Sequence, residues 1–142
     1  MPENMPPDAS VQAHWQTFLA FDYGTRRTGV AVGTRMLGSA NPVGTLAAEG
    51  KAQFPLAAAY LDEWRPDALV VGIPFHPDGA EHENTLRARK FMRGLHGRFG
   101  LPVFGVDERY STTEALAGGA DERQVDAQSA AIILAQFLRS LE

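Results

Sequence analysis

The stretch from Phe18 to Gly33 limits what this chain can fold into more than any other. It is an apolar run, a single carboxylate at Asp22, a turn bounded by Gly24 and Gly29, and a second apolar run. Short apolar runs bounded by glycine signal strands rather than helices, and glycine supplies the backbone freedom a tight turn needs. Two strands joined this closely pair as an antiparallel hairpin. Asp22 breaks the pattern. Aspartate is depleted in strands, and a carboxylate at the end of a central strand loses hydration unless something neutralises it. The plain alternative is a turn residue that bonds its own backbone amides.

Period and punctuation predict the other elements. Strands are expected over Thr17–Asp22, Thr28–Thr34 and, more briefly, Pro42–Leu46, whose proline suits a sheet edge. Phe54, Ala57, Ala58, Leu61 and Trp64 recur at helical spacing in a helix from Gln53 to Trp64 that Pro66 stops. Ala68–Ile73 is apolar throughout, as in a strand buried on both faces. Asp78 with Glu81 resembles a capping box, so the next helix is expected from Gly79 to Phe99, with Ala88, Phe91, Met92 and Leu95 on its apolar stripe. Arg87, Arg89, Lys90, Arg93, His96 and Arg98 lie between them and read either as a solvated face or as a patch that tracks phosphates. Leu101–Val106 is the last strand, followed by Asp107 and Glu108. Ser111 with Glu114 caps a helix that Gly118 and Gly119 break, and Asp121 with Gln124 opens a final helix to Leu141. The order implies an α/β protein with a mixed five-stranded sheet and helices on both faces.

At 142 residues the chain reads as one domain over 15–142 behind a flexible leader, 1–14, carrying Pro2, Pro6 and Pro7. Without cysteine, disulfides and thiolate metal sites are excluded, and a reducing compartment is compatible. No run nears the roughly 20 apolar residues that span a bilayer. No basic-then-apolar segment marks the N-terminus for secretion, so the expected location is cytoplasmic, with no membrane partner. The net charge of −4 argues against strong non-specific binding to nucleic acid, which basic surface usually drives. His14, His76, His82 and His96 lack metal-ligand spacing and read as surface residues, His76 alone lying in a loop at a strand's carboxyl end.

The chemistry gathers on carboxylates. In the last helix Ala130, Ile133, Leu134, Phe137, Leu138 and Leu141 form the stripe that faces the sheet, and Asp126 falls on or beside it. Asp22 and the pair Asp107–Glu108 end strands, where functional residues of open α/β sheets collect. Strand alternation admits only one of Asp107 and Glu108 to a given site and does not say which. If strands one and five end near each other, Asp22, one of that pair and Asp126 converge. Crowded carboxylates raise one another's pKa unless a cation joins them, and Mg²⁺ or Mn²⁺ suits oxygen ligands. Two such ions about 3.5–4 Å apart support in-line attack of water on a phosphodiester.

Four blocks occur in order: Phe21–Ala31; Val70–Pro74 with Asp78-Gly79; Val106–Ala115; and Val125–Ala127 leading into Ala130–Leu134. Together they resemble the signature blocks of the YqgF family, small bacterial RNase H-like proteins described as Holliday-junction resolvases or pre-16S rRNA nucleases. The resemblance implies an RNase H-like fold, with strands 1–3 antiparallel and 1-4-5 parallel. It implies a divalent-metal nuclease with Mg²⁺ or Mn²⁺, two ions, and a catalytic, metal-binding trio of Asp22, Glu108 and Asp126, which settles the choice between Asp107 and Glu108. Arg27, Arg109 and Thr112 fall on family positions and are expected to contact nucleic acid; the alternative for Arg27 and Arg109 is an ion pair that orients a catalytic carboxylate. Two departures thin the positive potential near the site: the short loop 117–123, with two acids and one base, and His76-Pro77 with Glu81-His82 around Asp78-Gly79.

The expected function is therefore an endonuclease acting on structured nucleic acid, with processing of the 5′ end of pre-16S rRNA placed first and resolution of branched DNA second. The substrate is RNA or DNA, and the protein a monomer or homodimer. Two rivals stand outside that class. An actin-like ATPase also opens on a D-x-G hairpin, but needs two lobes around its nucleotide. A non-catalytic RNA-binding ribosome-assembly factor would keep the fold without turnover.

Overall fold

Five strands form one mixed sheet in the order β3-β2-β1-β4-β5, in a computed structural model that describes residues 11–108 and 122–141. They are β1 (Thr17–Asp22), β2 (Arg27–Thr34), β3 (Ser39–Ala47), β4 (Ala68–Ile73) and β5 (Val103–Asp107). The hairpin β1–β2 and the pair β2–β3 are antiparallel, while β1–β4 and β4–β5 are parallel. Pro42 lies on β3, an edge strand, where its missing N–H costs no ladder bond. The expected fold is the one observed. β4 runs between β1 and β5, as the 1-4-5 order expects, so the ends of β1 and β5 lie two strands apart.

Among the described residues three helices cover the sheet: α1 (Gln53–Trp64), entered through a 3₁₀ turn at Gly50–Ala52, α2 (Glu83–Phe99) and α3 (Glu122–Arg139). Strand alternation sorts the core into two layers. Leu19 and Phe21 of β1 and Leu69, Val71 and Ile73 of β4 pack with Ala57 of α1 and with Phe91, Met92 and Leu95 of α2. On the other face Phe18, Ala20, Val70, Phe104 and Val106 meet Ile133, Leu134, Phe137 and Leu138 of α3. Val11 and Trp15 join this second layer. The Asp67 carboxylate accepts from the N–H groups of Gln16 and Thr17 at 2.8 and 3.0 Å, tying the start of β4 to that of β1. Among the described residues no helix is long and apolar enough to cross a membrane.

Two local expectations fail. Trp64, placed on the inner stripe of α1, is 37 % exposed. The helix expected from Gly79 begins at Glu83, capped by His82, whose ring accepts from the Asn84 N–H while Thr85 closes the box. Asp78 instead takes the Ala80 N–H within a turn where Gly79 has φ 92°, a left-handed conformation no helix start tolerates. The Ser111–Glu114 helix and loop 117–121 lie outside the described residues.

Candidate active site

Asp22 ends β1, with Gly29 of β2 on one side and Gly72 of β4 on the other. Neither neighbour carries a side chain, and each gap is filled. A Cβ at Gly29 would fall on the backbone carbonyl of Asp126, so α3 can rest on the sheet only because that atom is missing. A Cβ at Gly72 would meet Ile133 Cδ1 at 2.5 Å and Glu108 Cγ at 3.0 Å. Phe104 and Val106 face α3, so Glu108 does too, and its side chain leans over Gly72 towards Asp22. Asp107 falls on the opposite parity.

This packing governs the charge at Asp22. Burial first, then the hydrogen bond with Glu108, then the negative charges of Glu108 and Asp126 hold its carboxyl well above the ordinary value of 3.8. Asp126, in the early turns of α3, is turned towards β2: its Oδ2 accepts from Arg27 Nε at 2.9 Å, with the carboxylate 23 % exposed. The three carboxylates thus share one end of the sheet, but not as a ready-made cage. Among the described residues no three acidic or histidine side chains stand around one ion position, since Asp22 and Glu108 face each other while Asp126 faces Arg27. The donor set suits a hard divalent cation, which would relieve the crowding that raises Asp22. Arg109 and Thr112 lie outside the described residues.

One clamp was not read from the sequence. Gln53, fully buried at the start of α1, donates to the carbonyls of Gly24 and Ala48, both at 2.9 Å. Its Oε1 accepts from the Thr28 hydroxyl at 2.6 Å, and Thr28 Oγ1 in turn accepts from the Gly24 N–H at 3.2 Å. The β1–β2 turn that follows Asp22 is therefore pinned from within. A lone glutamine opening a helix is an ordinary surface residue in most sequences; only its burial marks it. His76 and His82, whose rings lie 4.7 Å apart, belong to the turn before α2 and to its cap.

A family model described as "RuvX: Holliday junction resolvase" matches residues 16–140. Among curated relatives, a protein of Albidiferax ferrireducens is 66 % identical over 131 residues, covering 92 % of this chain and 83 % of its own. One from a Polaromonas species is 65 % identical over 126 residues, covering 89 % and 90 %. Both carry the name "Putative pre-16S rRNA nuclease". Among solved structures, Thermus thermophilus RuvC in complex with a Holliday junction substrate superposes with a TM-score of 0.55 at 17 % identity, covering 89 % of this chain and 96 % of that one. At that identity the likeness shows a shared fold.

Proposed function

The chain belongs to the RuvX family of Holliday junction resolvases, and on that premise we propose that it is a divalent-metal-dependent endonuclease that processes the 5′ end of pre-16S rRNA. The observation that carries this reading is that Asp22, with Glu108 leaning over its neighbour Gly72 and Asp126 paired to Arg27 across its other neighbour Gly29, lies at the carboxyl end of the sheet with its carboxyl held at raised pKa. The names of the relatives support the substrate. Asp22, Glu108 and Asp126 would hold Mg²⁺ or Mn²⁺, which supplies a water of lowered pKa and a counter-charge for the leaving oxygen. A cation there would offset the burial and neighbouring negative charge that raise the Asp22 carboxyl. Arg27 orients Asp126 through the 2.9 Å ion pair and, with its side chain 39 % exposed, is assigned a contact with a substrate phosphate. The Gln53–Thr28 clamp keeps the turn beyond Asp22 from moving during the reaction.

The test is cleavage of a 5′-extended 16S rRNA fragment, by the natural chain and by Asp22→Asn, with Mg²⁺, Mn²⁺ or chelator. The expected result is metal-dependent cutting that the folded variant lacks; a fully active Asp22→Asn protein would overturn the mechanism. The family description favours a second substrate, a four-way DNA junction. Its two-fold symmetry calls for a dimer presenting two sites, so a junction left uncut, or a chain that stays monomeric on it, would count against that reading.

A further inference from the structure

The chain's net charge is −4, yet its cations are not spread evenly. On the face away from α3, a groove of about 760 Å³ runs between the β1–β2 turn, the start of α1 and the length of α2. Lys51, Arg87, Lys90, Arg93 and Arg98 line it against one carboxylate, Glu49. That is five of the 13 lysines and arginines of the whole chain, enough to make this face positive against the average.

The aromatic residues in the groove decide what it can recognise. The Phe54 ring has the Arg98 guanidinium 4.0 Å above its centroid and is stacked with Phe91 at 5.5 Å and 21°. Gly94, on α2, leaves the space that Phe54 occupies. Phe54 is thus engaged by both Arg98 and Phe91, so it serves to hold Arg98 in place rather than to stack on a base. Tyr23 packs against Phe91 at 5.1 Å, directly after Asp22 but on the opposite side of β1. Burial raises the Tyr23 phenol above its usual value while Arg87 draws it down, and the hydroxyl remains a donor at neutral pH.

We propose that this groove binds the sugar–phosphate backbone of one strand of nucleic acid without reading its bases, and passes it over the carboxyl edge of β1, past Tyr23, to Asp22. The proposal rests on the endonuclease reading and adds to it where the substrate runs outside the carboxylate site. The volume is that of a small-ligand site, about 300–1,000 Å³, which admits a few nucleotides of a single strand and not a duplex. A groove dominated by cations, with Phe54 and Phe91 engaged by other side chains, implies affinity that is strong in salt dependence and weak in sequence preference.

The test uses labelled single-stranded RNA and DNA of one sequence, each about 16 nucleotides long, with anisotropy read in chelator so that nothing is cut. Lys51→Glu/Lys90→Glu alters two exposed groove positions, and Arg65→Glu/Arg139→Glu makes the same charge change at exposed positions elsewhere. The groove variant is expected to bind about tenfold or more weakly, with the slope of log K against log salt reduced by about 1.4, the value for two phosphate contacts on a single strand. The control should move less than about threefold. Equal loss on both polymers assigns the contact to the shared backbone, and loss on RNA alone adds the ribose to it. Groove and control variants binding alike would overturn the proposal. Binding is read without metal, so a natural chain that binds through the groove yet cuts nothing would sink the nuclease reading alone. Cutting with groove-independent binding would sink this one alone.

Discussion

Asp22 lies between two residues that have no side chain, and both absences are used. Neighbouring strands stand about 4.8 Å apart, so β1 and β5, separated by β4, are roughly 9.6 Å apart at the backbone. A glutamate leaning over Gly72 crosses that gap, and an aspartate would stop one methylene short. Glu108→Asp is therefore expected to lower cleavage about 10²-fold with little effect on stability, as misplacements near 1 Å do; single-turnover rates check this. Gly29→Ala pushes a methyl into the Asp126 carbonyl and should cost about 3 kcal/mol or more, read by urea unfolding. Asp22 also makes stability depend on pH. Its folded pKa lies above the unfolded value, so the protonated group's contribution is complete below about pH 3.8 and is lost as pH rises through the folded value. At neutral pH the charged group destabilises the metal-free fold. Asp22→Asn should then raise the melting temperature in chelator at about pH 7.5 and give a smaller gain at about pH 4, while cleavage disappears. A variant that lost both activity and stability would mark Asp22 as merely structural.

The elements were legible in the sequence wherever period and breaker agree. β1, α1 and β4 begin and end where the apolar runs and Pro66 and Pro74 place them, and the stripe of α3 is the one its spacing predicts. The start of α2 was misread because Asp78 and Glu81 match a cap by spacing, whereas Asp78 finds a nearer partner in its own turn. Parity placed one of Asp107 and Glu108 at the site without choosing between them, and the direction of each side chain appears only once α3 is in place. Nothing local distinguishes Gly29 or Gly72 from turn or strand glycines, because what they make room for lies far along the chain. Gln53 was hidden for the same reason. Gln53→Ala strands the carbonyls of Gly24 and Ala48 and should cost about 2–3 kcal/mol, with a fall in cleavage as the turn after Asp22 loosens. The C-cap of α1 holds the opposite opportunity. Arg65 adopts φ 47° with its N–H on the Leu61 carbonyl, a left-handed position that favours glycine. Arg65→Gly should stabilise the fold by about 0.5–1 kcal/mol in the same unfolding measurement.

Across the whole molecule, the sheet divides the work between its faces. The α3 side holds the carboxylates, and the side covered by α1 and α2 holds the concentrated positive charge. A net charge of −4 therefore says little about either face. The proposed site is also assembled from distant parts: Asp22 from the first strand, Glu108 from just beyond the fifth, Asp126 from α3, whose docking buries Phe18, Ala20 and Val106. While a ribosome is still translating this chain, the polypeptide has the first two acids but not the third. On the proposed endonuclease reading, cutting would wait until α3 has cleared the exit tunnel, so a half-made copy would leave the RNA of the machine producing it intact.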